Sequence, residues 1–209
     1  MASEDLSLDA ALDRLQAEVG VLSRRQTAAF FAVCGGILLP LYEEFVHQTG
    51  WGDPSVLRAA ESFALEFAAG AAPQGEAVSR LLDAVAAVIP DGEHFDAPGS
   101  TFAQDAAICM DAALRASSLS EEINPGWIEY ALEPATIAAA EELTGFTDLG
   151  TSEAGIEWRA GALKHPGLLH AYQAAERMAK LAAKRSTFNA EDLSDLRSAA
   201  AGLITVRPV

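Results

Sequence analysis

Apolar residues in this chain recur in steps of three and four, not in steps of two. Leu8, Leu12, Leu15, Val19 and Leu22 alternate between spacings of four and three. That pattern puts them on one stripe of an α-helix. Val, Ile and Thr form no alternating run, so no strand is expected before the tail from Leu203 to Val209. The tail is read either as an edge strand or as a trailing end. Half of the 209 residues are hydrophobic but only 7% are aromatic. Alanine supplies much of the apolar total, and it favours helix and lets helices approach closely.

Start and stop signals divide the chain into about seven to eight helices. Ser7 caps the first. Ser23-x-x-Gln26 is a capping box for a second, carrying Phe30, Phe31, Ile37, Leu38, Leu41 and Phe45, with a kink expected at Pro40. Asp53-Pro54 opens a third that Gly70 stops. Val78, Leu81, Leu82, Val85, Val88 and Ile89 mark a fourth, closed by Pro90. A fifth spans about Phe102 to Ala116. Asn124-Pro125 opens a sixth, kinked at Pro134 and ended by Gly145. His165-Pro166 opens a seventh running to about Lys184, and Asn189 caps an eighth. No repeat and no long linker interrupts this order. The expected architecture is all-α: one compact multi-helix bundle over residues 1–209, partly proline-kinked.

Charge narrows the partners. The net charge is −16. Residues 1–158 hold 6 Lys/Arg against 26 Asp/Glu, a net of −20, and residues 159–209 hold 8 against 4, a net of +4. Such a field repels phosphate backbones and anionic membranes, so neither nucleic acid nor membrane is an expected partner. The apolar run Ala28 to Leu41 is too short to cross a bilayer and contains Gly35, Gly36 and Pro40. Cys34 and Cys109 lie in apolar helical runs and read as buried free thiols. The acidic N-terminus lacks a signal-peptide pattern, and a cytoplasmic location is expected.

One stretch has a familiar look. Leu22, Gln26, Phe30, Cys34, Pro40, Tyr42 and Phe45 are followed by Thr49-Gly50-Trp51-Gly52-Asp53 and Arg58, then by Ile89-Pro90, Phe95-Asp96 and Asp105-Ala106. Together they resemble the YjaG-like bacterial family, domain of unknown function 416, most strongly over residues 22–125. Where that family often has charged residues after its cysteine, this chain has Gly35 and Gly36. The resemblance implies an all-α cytoplasmic protein and supplies no activity.

Four groups of residues carry whatever chemistry is legible. Tyr42, Trp51, Asp53 and Arg58 surround the proline and the glycine-rich turn, a place where bundles open ligand sites. Spacing is equally compatible with Tyr42 and Trp51 plugging the core. Asp91, Glu93 and Asp96 crowd one loop, with His94 among them and Asp105 on the next helix. Oxygen ligands in a turn suit a hard cation, although capping and turn formation explain the same residues. Arg177, Lys180 and Lys184 form a basic stripe at i, i+3 and i+7. It is read as a contact for an anion or a partner, or as a face paired with the protein's own carboxylates. Glu44-x-x-His47 has the spacing of a di-metal helix ligand pair but no second copy.

No phosphate loop, dinucleotide fingerprint, zinc-protease motif or nucleophile elbow occurs. The reading therefore leans against an enzyme and expects no cofactor. Its first form is an acidic protein-binding module, of inhibitor, immunity or regulatory type, for a basic protein partner. The alternatives are a small-molecule or metal-binding enzyme at Tyr42, Trp51 and Asp53, and a homo-oligomer whose function is assembly.

Overall fold

The computed structural model describes residues 7–72, 75–91, 95, 99–118, 120–144 and 153–204. Among these residues there are nine α-helices and no strand: α1 Leu8–Gly20, α2 Arg24–Thr49, α3 Pro54–Ala68, α4 Gly75–Ala86, α5 Ser100–Ser117, α6 Ile128–Thr144, α7 Glu153–Gly161, α8 Pro166–Ala182 and α9 Ala190–Ala200. Short 3-10 turns, Pro125–Trp127 and Ala162–Lys164, lead into α6 and α8. The all-α expectation holds, with one helix more than the upper count. The extra element is α7, whose nine residues include Gly155 and Gly161 and make a weak local signal. It is held by packing, since Trp158 is buried in the core.

The start signals act as their chemistry requires. Ser7 Oγ accepts from the Ala10 amide at 3.2 Å, and Asp53 Oδ1 accepts from the Ser55 amide at 2.9 Å. Asn189 Oδ1 accepts from the amides of Glu191 and Asp192, while Asp192 Oδ2 accepts from the Asn189 amide at 3.1 Å. His165 caps α8 through Nδ1, which accepts from the Leu168 amide at 3.3 Å. Val88 and Ile89 fall just beyond α4 instead of inside it. The tail beyond Ile204 lies outside the described residues, as does Gly145.

Helix α2 is the centre of the molecule. It packs on α5 along its length and touches α3, α6, α8 and α9 as well. Phe30, Phe31, Leu38, Tyr42 and Phe45 are all buried, and the rings of Phe30 and Phe31 meet edge to face at 5.3 Å. Burying each such side chain contributes about 1.5–3 kcal/mol. Helical assignment is unbroken through Pro40. With 26 residues and an 18-residue window of mean hydropathy 1.6, α2 is long and apolar enough to cross a membrane, which the 14-residue apolar run alone is not. Here, 67% of its most apolar window is buried by the surrounding helices.

Its partner α5 presents Ala103, Ala106, Ala107, Ala112, Ala113 and Ala116 to the interior, all buried. Small residues on one side and glycine on the other let the two axes close in. A Cβ at Gly35 would lie 2.9 Å from Met110 Cε and 3.0 Å from its Sδ. A Cβ at Gly36 would lie 2.8 Å from Glu61 Oε1 on α3, so both glycines are contact points between helices. Cys34 and Cys109 are free and buried in this same layer, where burial pushes both thiols far up.

Three consecutive side chains at the start of α2 finish three other helices. Arg24 donates to the carbonyls of Arg115, Ser118 and, at 2.7 Å, Glu121, at the end of α5. Arg25 donates to Phe67, Gly70 and Ala71 carbonyls at the end of α3, its guanidinium 4.6 Å above the Phe67 ring. Gln26 donates to the Ala183 and Arg185 carbonyls, at 3.3 and 2.7 Å, at the end of α8. The last carbonyls of a helix lack intrahelical donors, and cations there also oppose the negative dipole end. Replacing Arg24 with Met keeps the aliphatic stem but strands three carbonyls. The expected loss is about 2–3 kcal/mol, measurable as a lower urea midpoint with unchanged slope.

Candidate functional site

The residues around the glycine-rich turn converge, and they converge on one another. Tyr42 is fully buried. Its hydroxyl donates to the Val88 carbonyl at 2.9 Å and accepts from the Asp53 amide at 3.3 Å. One side chain thereby ties α2 to the start of α3 and to the chain leaving α4. Gly52 permits this, having φ +99° and a position where a Cβ would stand 2.5 Å from the Tyr42 oxygen. Trp51 is half-buried in an aromatic cluster, 4.9 Å from Phe95 and 6.2 Å from Phe45 between ring centroids. Phe45 and Phe95 meet at 5.3 Å. Burial pushes the Tyr42 hydroxyl up, whereas the hydrogen bonds to Ser55 hold the exposed Asp53 carboxylate below its usual range. Arg58 pairs with Glu43 at 2.5 Å on the surface.

The acidic loop is only partly described. Glu93, His94 and Asp96 lie outside the described residues, and the Asp91 carbonyl accepts from the Phe95 amide at 3.1 Å. Among the described residues, no group of three or more His, Cys, Asp or Glu side chains is disposed to hold a metal ion. Along the basic stripe, Lys180 faces the protein's own Glu176 at 3.7 Å. Glu176 also binds Arg14 at 2.5 Å and accepts from the Tyr172 hydroxyl at 3.3 Å. Arg177 is exposed. Lys184 leaves the stripe and lines a cleft at the end of α8.

Two features lie outside the groups singled out above. The first is a notch of about 340 Å³ where the 3-10 turn enters α6, walled by Trp127, Tyr130, Glu129 and Glu133, with Asn124 and Gly126 at its rim. Glu129 and Glu133 are like charges one helical turn apart, which costs a few tenths of a kcal/mol in a bare helix. Both also line an adjoining hollow of about 150 Å³ bounded by Leu8, Leu12 and Arg159. The Glu129 carboxylate accepts from the Gln16 amide at 2.7 Å. Burial, and then Glu129, hold the Glu133 carboxyl above its ordinary range. Arg115 stacks over Trp127 at 5.8 Å, anchored by Asp111 at 2.6 Å and Glu121 at 2.8 Å.

The second is Asp105, on the inward face of α5 at 1% exposure. Its Oδ2 is buried and has no hydrogen-bond partner among the described residues. Burial, assisted by Glu133, pushes its carboxyl up to about 9, so it is protonated at neutral pH. Part of the notch had a sequence signal, since Glu129, Tyr130 and Glu133 share one face of a helix, whereas Trp127 lies in the 3-10 turn before it. The burial of Asp105 had none, because its α5 neighbours are alanines that carry no periodic contrast.

No protein-family model matches the chain, and no curated protein matches it. A crystal structure at 1.91 Å of a DUF416 family protein from Shewanella baltica OS155 does, with a TM-score of 0.65 over 88% of this chain and 91% of that one, at 16% identity. The chain therefore has the all-α fold of a DUF416 family protein. That is the family, domain of unknown function 416, that its residues 22–125 resemble. At this identity the likeness concerns the fold.

Asp105 makes a pH prediction. Its folded pKa, near 9, lies above an unfolded value of about 3.9, so between those limits the folded state holds a proton that the unfolded state has lost. Its contribution is therefore fully present below about pH 4 and declines as pH rises toward 9, by at most about 1.4 kcal/mol per pH unit. Asp105→Asn cannot ionise. Its stability relative to wild type, from urea melts at matched pH, should rise steadily between pH 5 and 9.

Proposed function

We propose that this protein is a non-enzymatic binding module for a basic protein partner, and that the Glu129–Glu133 notch receives a lysine or arginine side chain of that partner. The carrying observation is the notch itself: two carboxylates, one half-buried, beside two aromatic side chains in a concavity sized for one long cationic side chain. Holding like charges together costs free energy, and an incoming cation relieves that cost. Arg115 on Trp127 is the protein's own example of the contact, and Tyr130 offers the same kind of surface to a partner.

The wider charge distribution supports this reading. Every Lys or Arg within residues 1–158 is already engaged: Arg14, Arg58, Arg80 and Arg115 with carboxylates, Arg24 and Arg25 with helix-end carbonyls. The acidic excess of this part is thus left to face outward and steer cationic partners toward the surface. A small-molecule or metal enzyme at Tyr42, Trp51 and Asp53 has less support. The Tyr42 hydroxyl spends both its hydrogen bonds inside the protein, and Trp51 is packed on Phe45 and Phe95.

The test is titration with an arginine-rich peptide, followed by the emission of Trp127 in a variant whose other two tryptophans are phenylalanine. Saturable binding that weakens as salt rises is expected, and Glu129→Gln/Glu133→Gln should weaken it by about tenfold. Equal affinity in that double variant would sink the reading. Light scattering on the peptide-free protein separates the competing reading, in which a second copy of this chain is the partner.

A further inference from the structure

At the opposite charge extreme, the start of α2 and the end of α8 enclose an open cleft of about 780 Å³. Four of the chain's 14 Lys and Arg residues line it (Arg24, Arg25, Lys184 and Arg185), and among the described residues no carboxylate does. In a protein of net charge −16, that clustering runs against the whole-molecule field, and of the four only Lys184 has no structural partner among the described residues. Ser23, Ser186 and the ring of Phe67 complete the walls.

The cations are not equivalent. Arg25 is fixed by carbonyls at the end of α3 and by the Phe67 ring, so it supplies a stationary charge. Arg185 is held by Asp192 at 2.5 Å. Arg24 turns its guanidinium to the end of α5. Lys184 is exposed, and its ammonium makes no ion pair among the described residues. Asp192 and Asp195 share an adjoining depression with Lys184 and Arg185 and stay out of the cleft wall. Gln26 pins the 183–185 turn against the start of α2, so the arrangement exists before any ligand arrives.

We infer that this cleft binds a small phosphate monoester, its phosphate held by Lys184 and by the Ser23 and Ser186 hydroxyls in the field of Arg25 and Arg185. The charge count selects the ligand. A carboxylate brings one negative charge, while a phosphate monoester brings nearly two and offers acceptor oxygens in several directions. The first-turn amides of Arg24 and Arg25, which lack intrahelical partners, add donors of the same sense. The cleft is far larger than a phosphate ion, which leaves room for the ester group. This site is independent of the acidic notch, which takes the opposite charge.

The experiment is an amide NMR titration of the full chain with glycerol phosphate, with sodium chloride at matched ionic strength as the control. Saturable shifts confined to Ser23, Arg24, Arg25 and residues 184–186 are expected. Lys184→Gln, a change at an exposed side chain, should weaken binding by about tenfold and leave the melting temperature where it was. The inference is overturned if chloride produces the same shifts, if no saturable shift appears, or if Lys184→Gln binds as well as wild type. It is also overturned if a phosphoserine peptide binds at least about tenfold more tightly than free phosphoserine, because the ligand is then a protein.

Discussion

Everything in this bundle is arranged around the first turn of α2. Arg24, Arg25 and Gln26 are consecutive in sequence, so on a helix they point in three directions about 100° apart. Each direction meets the carboxyl end of a different helix: α5, α3 and α8. A helix start carries positive dipole and a helix end negative, so this junction sets one start against three ends and adds charged donors where carbonyls are unsatisfied. The apolar body of α2 then has no freedom to choose its neighbours. Its partners are set at the pole, and the buried Phe, Leu and Tyr side chains only have to fill the space between.

That central packing depends on small residues more than on large ones. Alanines on α5 and Gly35 on α2 make room for the Met110 side chain between the two helices. Packing of this kind leaves little tolerance for added volume. Within the same layer sit Cys34, Cys109 and a protonated Asp105. Tyr42 performs the corresponding polar task at the other end, joining α2, the α3 cap and the segment after α4 through a single hydroxyl.

Charge is sorted as strictly as volume. Arginines of the first 158 residues are consumed internally, which leaves carboxylates outside and gives the notch on α6 its character. Lys184 and Arg185 instead meet Arg24 and Arg25 where α8 ends, at the junction built by α2. Two surfaces of opposite sign therefore coexist on one small molecule.

The sequence by itself determined the local elements. Spacings of three and four, caps at Ser7, Ser23, Asp53 and Asn189, and the absence of alternation were enough to place most helices, because these signals act within one or two turns. It also showed that Tyr42, Trp51 and Asp53 are close, since one turn joins them, but not that they close on one another. Only the tertiary structure decided that Asp105 is buried, that α7 is held by Trp158, and that Gln26 reaches a carbonyl 159 residues away. The basic cleft belongs to this second kind. Lys184 was visible as part of a helical stripe, yet its partners at the start of α2 were not, because a stripe reports the face of one helix and a cleft requires two chain ends to meet. Local chemistry is written at helical spacing, whereas long-range contact follows from which helix ends satisfy one another's orphan groups, and no periodicity records that.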